Sequence, residues 1–526
     1  MASVHDAERT GGNPHWEPED VIGKMTLSTL LFSNHYRHIA IKGMLTSVVM
    51  LGLGGLMAIL FRTELAYPDI QILDARPYMS LMTLHGMLMV FGFIIPFVVS
   101  IMYYMMPKVL GTEELLWARG AQWSYWLLVL AAVLLVTARP DFTWTFYPPM
   151  SLRVGGDLVW MGYLAISLVA ISEFLAGAVL LKNGWAAGRK KGWGKLPLMG
   201  WGALSEGILL LGSTPILALV GLLMLTDWAQ VTAVYDPARG GDVMTFMFMF
   251  WFYGHPAVYL PLMPAVAILY TLLPRFLGRP VWSYWSAVTA FTLLTVLGFI
   301  VYPHHFQPAE NVSGWLQRAA QILTLMIFIP STLHVFNWIA TLWADEIPRS
   351  ARRAVPFKFL IASIFFLMVG GVTAYLNAQI AADADFVHNT YFVPAHFHAM
   401  FVGFMANMAM AGIYYLYPYF TGRMYSQWLG NIHFWLWQIG IFTKVTMMYY
   451  LGYNYFPRWV VDYLDLPQWT WAQTTLTGGA YLIGLGFIVF VINIMLSASR
   501  GAIVSDDPWA IEGDDQAAPA KPVPAE

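Results

Sequence analysis

Cysteine is absent from this 526-residue chain, and charged side chains make up only 11% of it. Without a thiol the chain by itself holds no disulfide, no iron–sulfur cluster, no haem attached through a C-x-x-C-H motif and no thiolate-bridged dicopper centre. The shortage of charge goes with 58% hydrophobic residues and a mean hydropathy of +0.58. That combination excludes an ordinary water-soluble domain and indicates a polytopic membrane protein. A net charge of −2 offers no basic surface for nucleic acid.

Twelve apolar stretches each approach the ~20 residues needed to cross a bilayer core. They lie at about 40–61, 79–107, 120–137, 152–181, 198–226, 243–273, 282–303, 318–343, 356–378, 395–418, 428–450 and 474–496. The expected fold is therefore all-α, a polytopic membrane bundle of about twelve transmembrane helices over residues 39–498. A cytoplasmic segment, 1–38, is expected before it and a cytoplasmic disordered tail, 499–526, after it. No small-residue cleavage pattern follows the first apolar run, so that span is expected to be a retained anchor. Twelve crossings put both ends on one side. Twenty Lys and Arg fall on that side and seven on the other, which predicts cytoplasmic termini.

Against this apolar background stand six histidines: His85, His255, His304, His305, His396 and His398. On the topology above all six lie in the outer part of the bilayer, although they come from distant parts of the chain. An uncompensated polar ring in hydrocarbon is costly, and imidazole is the commonest protein ligand for iron and copper. Their spacing separates them into two kinds of site. His396 and His398 are two residues apart, about 200° around a helix, so they serve different groups on opposite flanks. His85 can supply the second axial ligand of one haem, with small Gly86 giving a macrocycle room. His255 and Tyr259 are at i and i+4, on one helix face. With His304 and His305 they offer three imidazoles and a phenol, a set that suits copper and redox chemistry. A lone membrane histidine such as His433 is better explained as an interhelical hydrogen-bond partner; His5, His15, His35 and His38 fit a cytoplasmic surface.

GHPAVY at 254–259, HH at 304–305 and HNTYFVPAHFH at 388–398 resemble subunit I of the haem–copper oxygen reductases, the terminal respiratory oxidases, in the family's order and spacing. The resemblance runs from about residue 30 to 498. It implies a catalytic subunit of a prokaryotic cytoplasmic membrane that reduces O2 to water, with proton uptake and translocation. It also implies two haems and one copper ion. His85 and His398 would ligate a low-spin haem iron, His396 a high-spin haem iron, and His255, His304 and His305 the copper. Tyr259 would be cross-linked to His255 and supply an electron and a proton when the O–O bond breaks. Arg458, His388 and Asp385 would hold haem propionates or a nearby divalent ion. Electrons would come from a subunit II with a dicopper centre, from a cytochrome donor or from quinol, and additional small membrane subunits are implied.

Departures from the family's best-known branch place the chain closer to the B type. Ala257 stands where that branch has glutamate, His334 where it has the lysine of one proton path, and Asn389 where it has aspartate. The acids and asparagines of its second proton path are not evident. The resemblance then implies a single proton route through Tyr270, Thr271, Ser331, Thr332 and His334 towards Tyr259, about three helical turns (~16 Å) further out. Glu173 and Glu206 are either proton-path acids or neutral acids bonded across helices, and Lys444 is expected to snorkel to the outer surface. Two rivals are a nitric oxide reductase and a cofactor-free transporter with histidine relays. The first lacks a tyrosine four residues after the histidine and uses glutamates near non-haem iron. The second predicts acids and histidines spread through the bilayer.

Overall fold

The computed structural model describes residues 17–154, 156–306 and 312–510. Among them there is no β-strand beyond isolated bridges. Twelve long helices follow one another: α1 (Tyr36–Glu64), α2 (Ala75–Leu110), α3 (Ala118–Ala138), α4 (Val159–Lys191), α5 (Leu198–Trp228), α6 (Val243–Leu277), α7 (Tyr284–Phe306), α8 (Gly314–Trp343), α9 (Val355–Ala378), α10 (Phe392–Thr421), α11 (Gln427–Tyr453) and α12 (Pro467–Arg500). All but α11 are long and apolar enough to cross a membrane. The 27 residues of α11 include the buried polar side chains His433, Gln438 and Lys444.

Several helices depart from regular α geometry where the histidines are. Pro256 and Pro261 lack the N–H that would continue the ladder, and α6 breaks into Val243–Gly254, Pro256–Tyr259 and Leu262–Leu277 with His255 at the first break. A π-helical stretch, Leu88–Ile94, begins three residues after His85, and another, Ala399–Ala406, directly follows His398. Such inserted turns gather at functional positions in helical proteins.

Close packing of α4 on α5 depends on glycine. A Cβ on Gly207 would fall 2.8 Å from the Leu181 nitrogen and 2.9 Å from the Gly177 carbonyl oxygen, so only a glycine permits this approach. At the end of α1, Glu64 is fully buried. Its carboxylate accepts the backbone N–H groups of Gln71, Ile72 and Leu73 at 2.7–2.8 Å, fixing the turn into α2.

Both described ends of the chain pack on one face. Val21 and Ile22 donate backbone N–H groups to the Phe420 carbonyl, and Arg423 bridges to Ile503. Residues 501–510 belong to the stretch expected as a disordered tail, yet they fold back onto the bundle. The Trp509 ring stacks on Tyr415 at 5.9 Å, and its Nε1 donates to the Tyr415 carbonyl at 3.0 Å. Asp507 pairs with Arg275 and accepts the Tyr419 hydroxyl at 2.5 Å. An aromatic anchor beside a matched charge explains the order. The rest of that expectation, 511–526, and His5 and His15 lie outside the described residues.

Candidate metal centre

His255, at the first break in α6, and His304 and His305, in the last turn of α7, converge from two helices. One ligand nitrogen from each lies within 4.8 Å of the others. The rings are 4.6 Å (His255–His304), 5.4 Å (His255–His305) and 4.3 Å (His304–His305) apart. His255 Nδ1 and His305 Nε2 face each other at 3.2 Å, while His255 Nε2 is buried without a partner. The tautomer of His304 follows from its neighbour. Thr324 donates its hydroxyl proton to the Ala320 carbonyl at 2.6 Å and lies 2.8 Å from His304 Nδ1. Thr324 therefore accepts from Nδ1–H, and the lone pair of His304 is on Nε2. Trp251 lies flat on His305, centroids 3.6 Å apart at 6°, and is itself tied to the Tyr147 hydroxyl at 2.6 Å. The Tyr259 ring is 5.0 Å from that of His255.

Two of the remaining three histidines fit haem iron by the same logic. His85 Nδ1 is 2.9 Å from the Gly54 carbonyl and His398 Nδ1 is 2.7 Å from the Pro394 carbonyl. A carbonyl only accepts, so each Nδ1 carries the proton and each Nε2 keeps a lone pair for a metal, the usual outer-shell arrangement of a ligating histidine. His85 and His398 are close enough to interact electrostatically. His396 points to the other flank of α10, towards the Gly370 backbone of α9, with Nδ1 buried and unpartnered. A Cβ on Gly86 would lie 3.2 Å from the Trp144 side chain, so the small residue gives that indole room.

On the expected proton route, the Tyr270 hydroxyl and His334 Nδ1 are 2.9 Å apart, and Asn337 donates to the same hydroxyl at 3.3 Å. Ser331, half-buried, lies one turn from His334 in the direction of the histidine cluster. Thr271 spends its hydroxyl on the Ala267 carbonyl at 2.9 Å, and Thr332 is exposed on the outside of the bundle; neither joins the others. Near the ends of α10 and α11, His388 Nδ1 pairs with Asp383 at 3.2 Å, whereas Asp385 is exposed and accepts from Tyr455 at 3.3 Å. The Arg458 backbone N–H binds the Asn389 carbonyl, and its guanidinium lies 5.8 Å from the Trp459 ring. Lys444 does not snorkel. It is 8% exposed, on the inward side of α11, with its charge close to both His85 and His398. His433 is an interhelical partner as expected, 2.9 Å from the Tyr414 hydroxyl.

Thr324, Trp251, Asn337 and Asp383 were not recognisable as site residues in the sequence. Each acts on a partner from another helix or across a π-helical turn, where helical spacing gives no signal.

The family described as "Cytochrome C and Quinol oxidase polypeptide I" matches residues 38–482. The chain belongs to this family. It is 32% identical over 486 residues to "Cytochrome c oxidase subunit 1" of Synechocystis, covering 91% of this chain and 86% of that one. It is 31% identical over 485 residues to "Heme-copper oxidase subunit I+III" of Aeropyrum pernix, covering 90% of this chain and 58% of that longer one. A solved heme-copper terminal oxidase dimer has the same fold, with a TM-score of 0.77 at 20% identity over 92% of this chain and 88% of that one. The chain is thus the catalytic subunit I of a haem–copper oxidase, an O2-reducing oxidoreductase of the cytochrome c oxidase type. It carries two haems and one copper ion, and works in a prokaryotic membrane alongside other subunits.

Proposed function

We propose that His255, His304 and His305 hold the copper ion, that His396 ligates the high-spin haem iron, and that His85 and His398 ligate the low-spin haem iron. The observation that carries this is the convergence of three imidazoles from α6 and α7 within 4.8 Å. Among the described residues no carboxylate joins that group, which speaks against the glutamate-rich iron site of a nitric oxide reductase. Held by these residues, the haems and copper would supply electron delivery and the chemistry of O2 reduction. The protein's part is to fix tautomers through Gly54, Pro394 and Thr324 and to hold His305 flat against Trp251. Tyr259 places a phenolic proton beside His255 and is the proposed partner of its cross-link. Arg458, His388 and Asp385 are the proposed contacts of the haem propionates or of a nearby ion, with Asp383 orienting His388.

Protons are proposed to reach the centre from the cytoplasm through Tyr270 and His334, with Asn337 holding the Tyr270 hydroxyl and Ser331 continuing towards Tyr259. The absence of acid at Ala257 and the His334 substitution support a B-type assignment, and the charge bias of the loops supports cytoplasmic termini. Because the chain has no cysteine, electrons enter from a dicopper-bearing subunit II or a cytochrome, with quinol as the alternative donor. His398→Ala tests the ligand assignment. The low-spin haem's optical signal should vanish while the high-spin haem and copper remain, and an unchanged low-spin signal would remove His398 from the site.

A further inference from the structure

The route above makes no use of two buried acids. Glu173 on α4 is 6% exposed and Glu206 on α5 is 0% exposed. Tyr253 donates its hydroxyl to Glu173 Oε2 at 2.8 Å. Neither oxygen of Glu206 has a hydrogen-bond partner. An acid buried in this way must be satisfied by water or remain protonated, since an isolated buried carboxylate is too costly. The close packing at Gly177 and Gly207 brings these two helices together, and the two carboxyls interact electrostatically with each other and with Tyr253; Glu206 also acts on Tyr103.

Glu173 lines a partly open, mostly apolar cavity of about 60 Å³ bordered mainly by α1, α2, α3 and α4, whose wall also carries Ser47, Ser100, Tyr103, Ser124 and Ser172. That is room for about four waters at ~15 Å³ each. Two of these groups point to water independently of the acids. Ser47, 1% exposed, and Tyr103, 4% exposed, present hydroxyls that have no protein partner. The cavity lies in the half of the bundle near the chain ends. Lys42, next to the lining residue Gly43, has its ammonium held by Gln122 and 4.6 Å over the ring of Tyr125, which also lines the cavity.

We propose that Glu173, Glu206 and the hydroxyl groups on this cavity's wall form a proton-holding site whose occupancy is coupled to the charge of the metal centre. Tyr253 lies two residues before His255, so Glu173 is tied to the helical end that carries a copper-site histidine. An electron arriving at the centre from the donor adds negative charge, and a carboxylate nearby then binds a proton more tightly. By reciprocity the bound proton favours the reduced centre. In the step itself one proton is taken up from the cytoplasmic solvent and relayed by cavity water, each water gaining one hydrogen as it passes one on, and it forms one O–H bond on the ionised acid. The electron remains on the metals, and the positive charge taken up offsets the negative charge that arrived. Tyr253 is a positioning residue. The inference rests on the metal reading of His255, His304 and His305, and metal content measured on the same samples separates failure of one from failure of the other.

The test is an infrared difference spectrum of the whole oxidase, electrochemically reduced minus oxidised without O2, with proton uptake followed by a pH dye. The wild type is expected to show a carboxylic-acid C=O signal. Glu173→Gln or Glu206→Gln should remove all or part of it, together with part of the proton uptake. Tyr253→Phe should shift the signal without removing it, because only a hydrogen bond is lost. A wild type with no carboxylic-acid signal overturns the proposal. So do a signal and an uptake that are unchanged in both glutamine variants.

Discussion

The Tyr270 hydroxyl and His334 Nδ1 lie 2.9 Å apart, joining α6 to α8 in the half of the bundle near the chain ends. The family resemblance puts both residues on one proton route, and the contact across sixty-four residues makes them a pair of proton-exchanging groups below the histidine cluster. Tyr270→Phe is expected to slow proton uptake during turnover by about a hundredfold, while reduction of the low-spin haem keeps its rate. Time-resolved uptake with a pH dye checks it, and unchanged uptake would take Tyr270 out of the route.

Trp251 has no ligand atom, but its indole covers His305 at 3.6 Å. Outer-shell groups of this kind change metal affinity by roughly ten- to a hundredfold. Trp251→Leu should therefore lose copper to a chelator at concentrations the wild type withstands, with both haem spectra preserved. Equal copper retention would reduce Trp251 to packing.

The six histidines were legible because their chemistry is out of place in an apolar chain, and because topology brought them to one depth without reference to their identity. The opposed directions of His396 and His398 follow from helical geometry alone. What stayed hidden depended on departures from that geometry. His388 meets Asp383 rather than Asp385 because the Asp383–Val387 segment is π-helical. Lys444 turns inward because its side of α11 is packed within the bundle, a rotation that depth alone does not give. Trp509 and Asp507 look like tail composition until Tyr415 and Arg275 are brought to them from other helices.

That last contact is testable as stability. Arg275 and Asp507 are a buried pair, their side chains 9% and 5% exposed. Asp507→Asn removes the carboxylate charge that faces the Arg275 guanidinium, at a cost of about 3 kcal/mol. The variant should unfold at a lower temperature in detergent with its haem spectra intact below the transition. A transition at the wild-type temperature would show that the pair contributes little.

The orientation is unusually simple to examine, because any introduced cysteine is the only one in the chain. Arg352→Cys lies in the α8–α9 connection near the chain ends, and Val231→Cys, at a position 75% exposed, lies beyond α5 on the opposite side. In intact cells an impermeant maleimide should label the second and spare the first. The reverse pattern would place the termini outside.

The iron and copper content of the purified subunit, stripped of partners that carry their own metals, tests the central claim most directly. The arrangement of His85, His255, His304, His305, His396 and His398 predicts about two irons to one copper, with copper alone lost in His304→Asn. Three irons and no copper would contradict it and turn the site into that of a nitric oxide reductase.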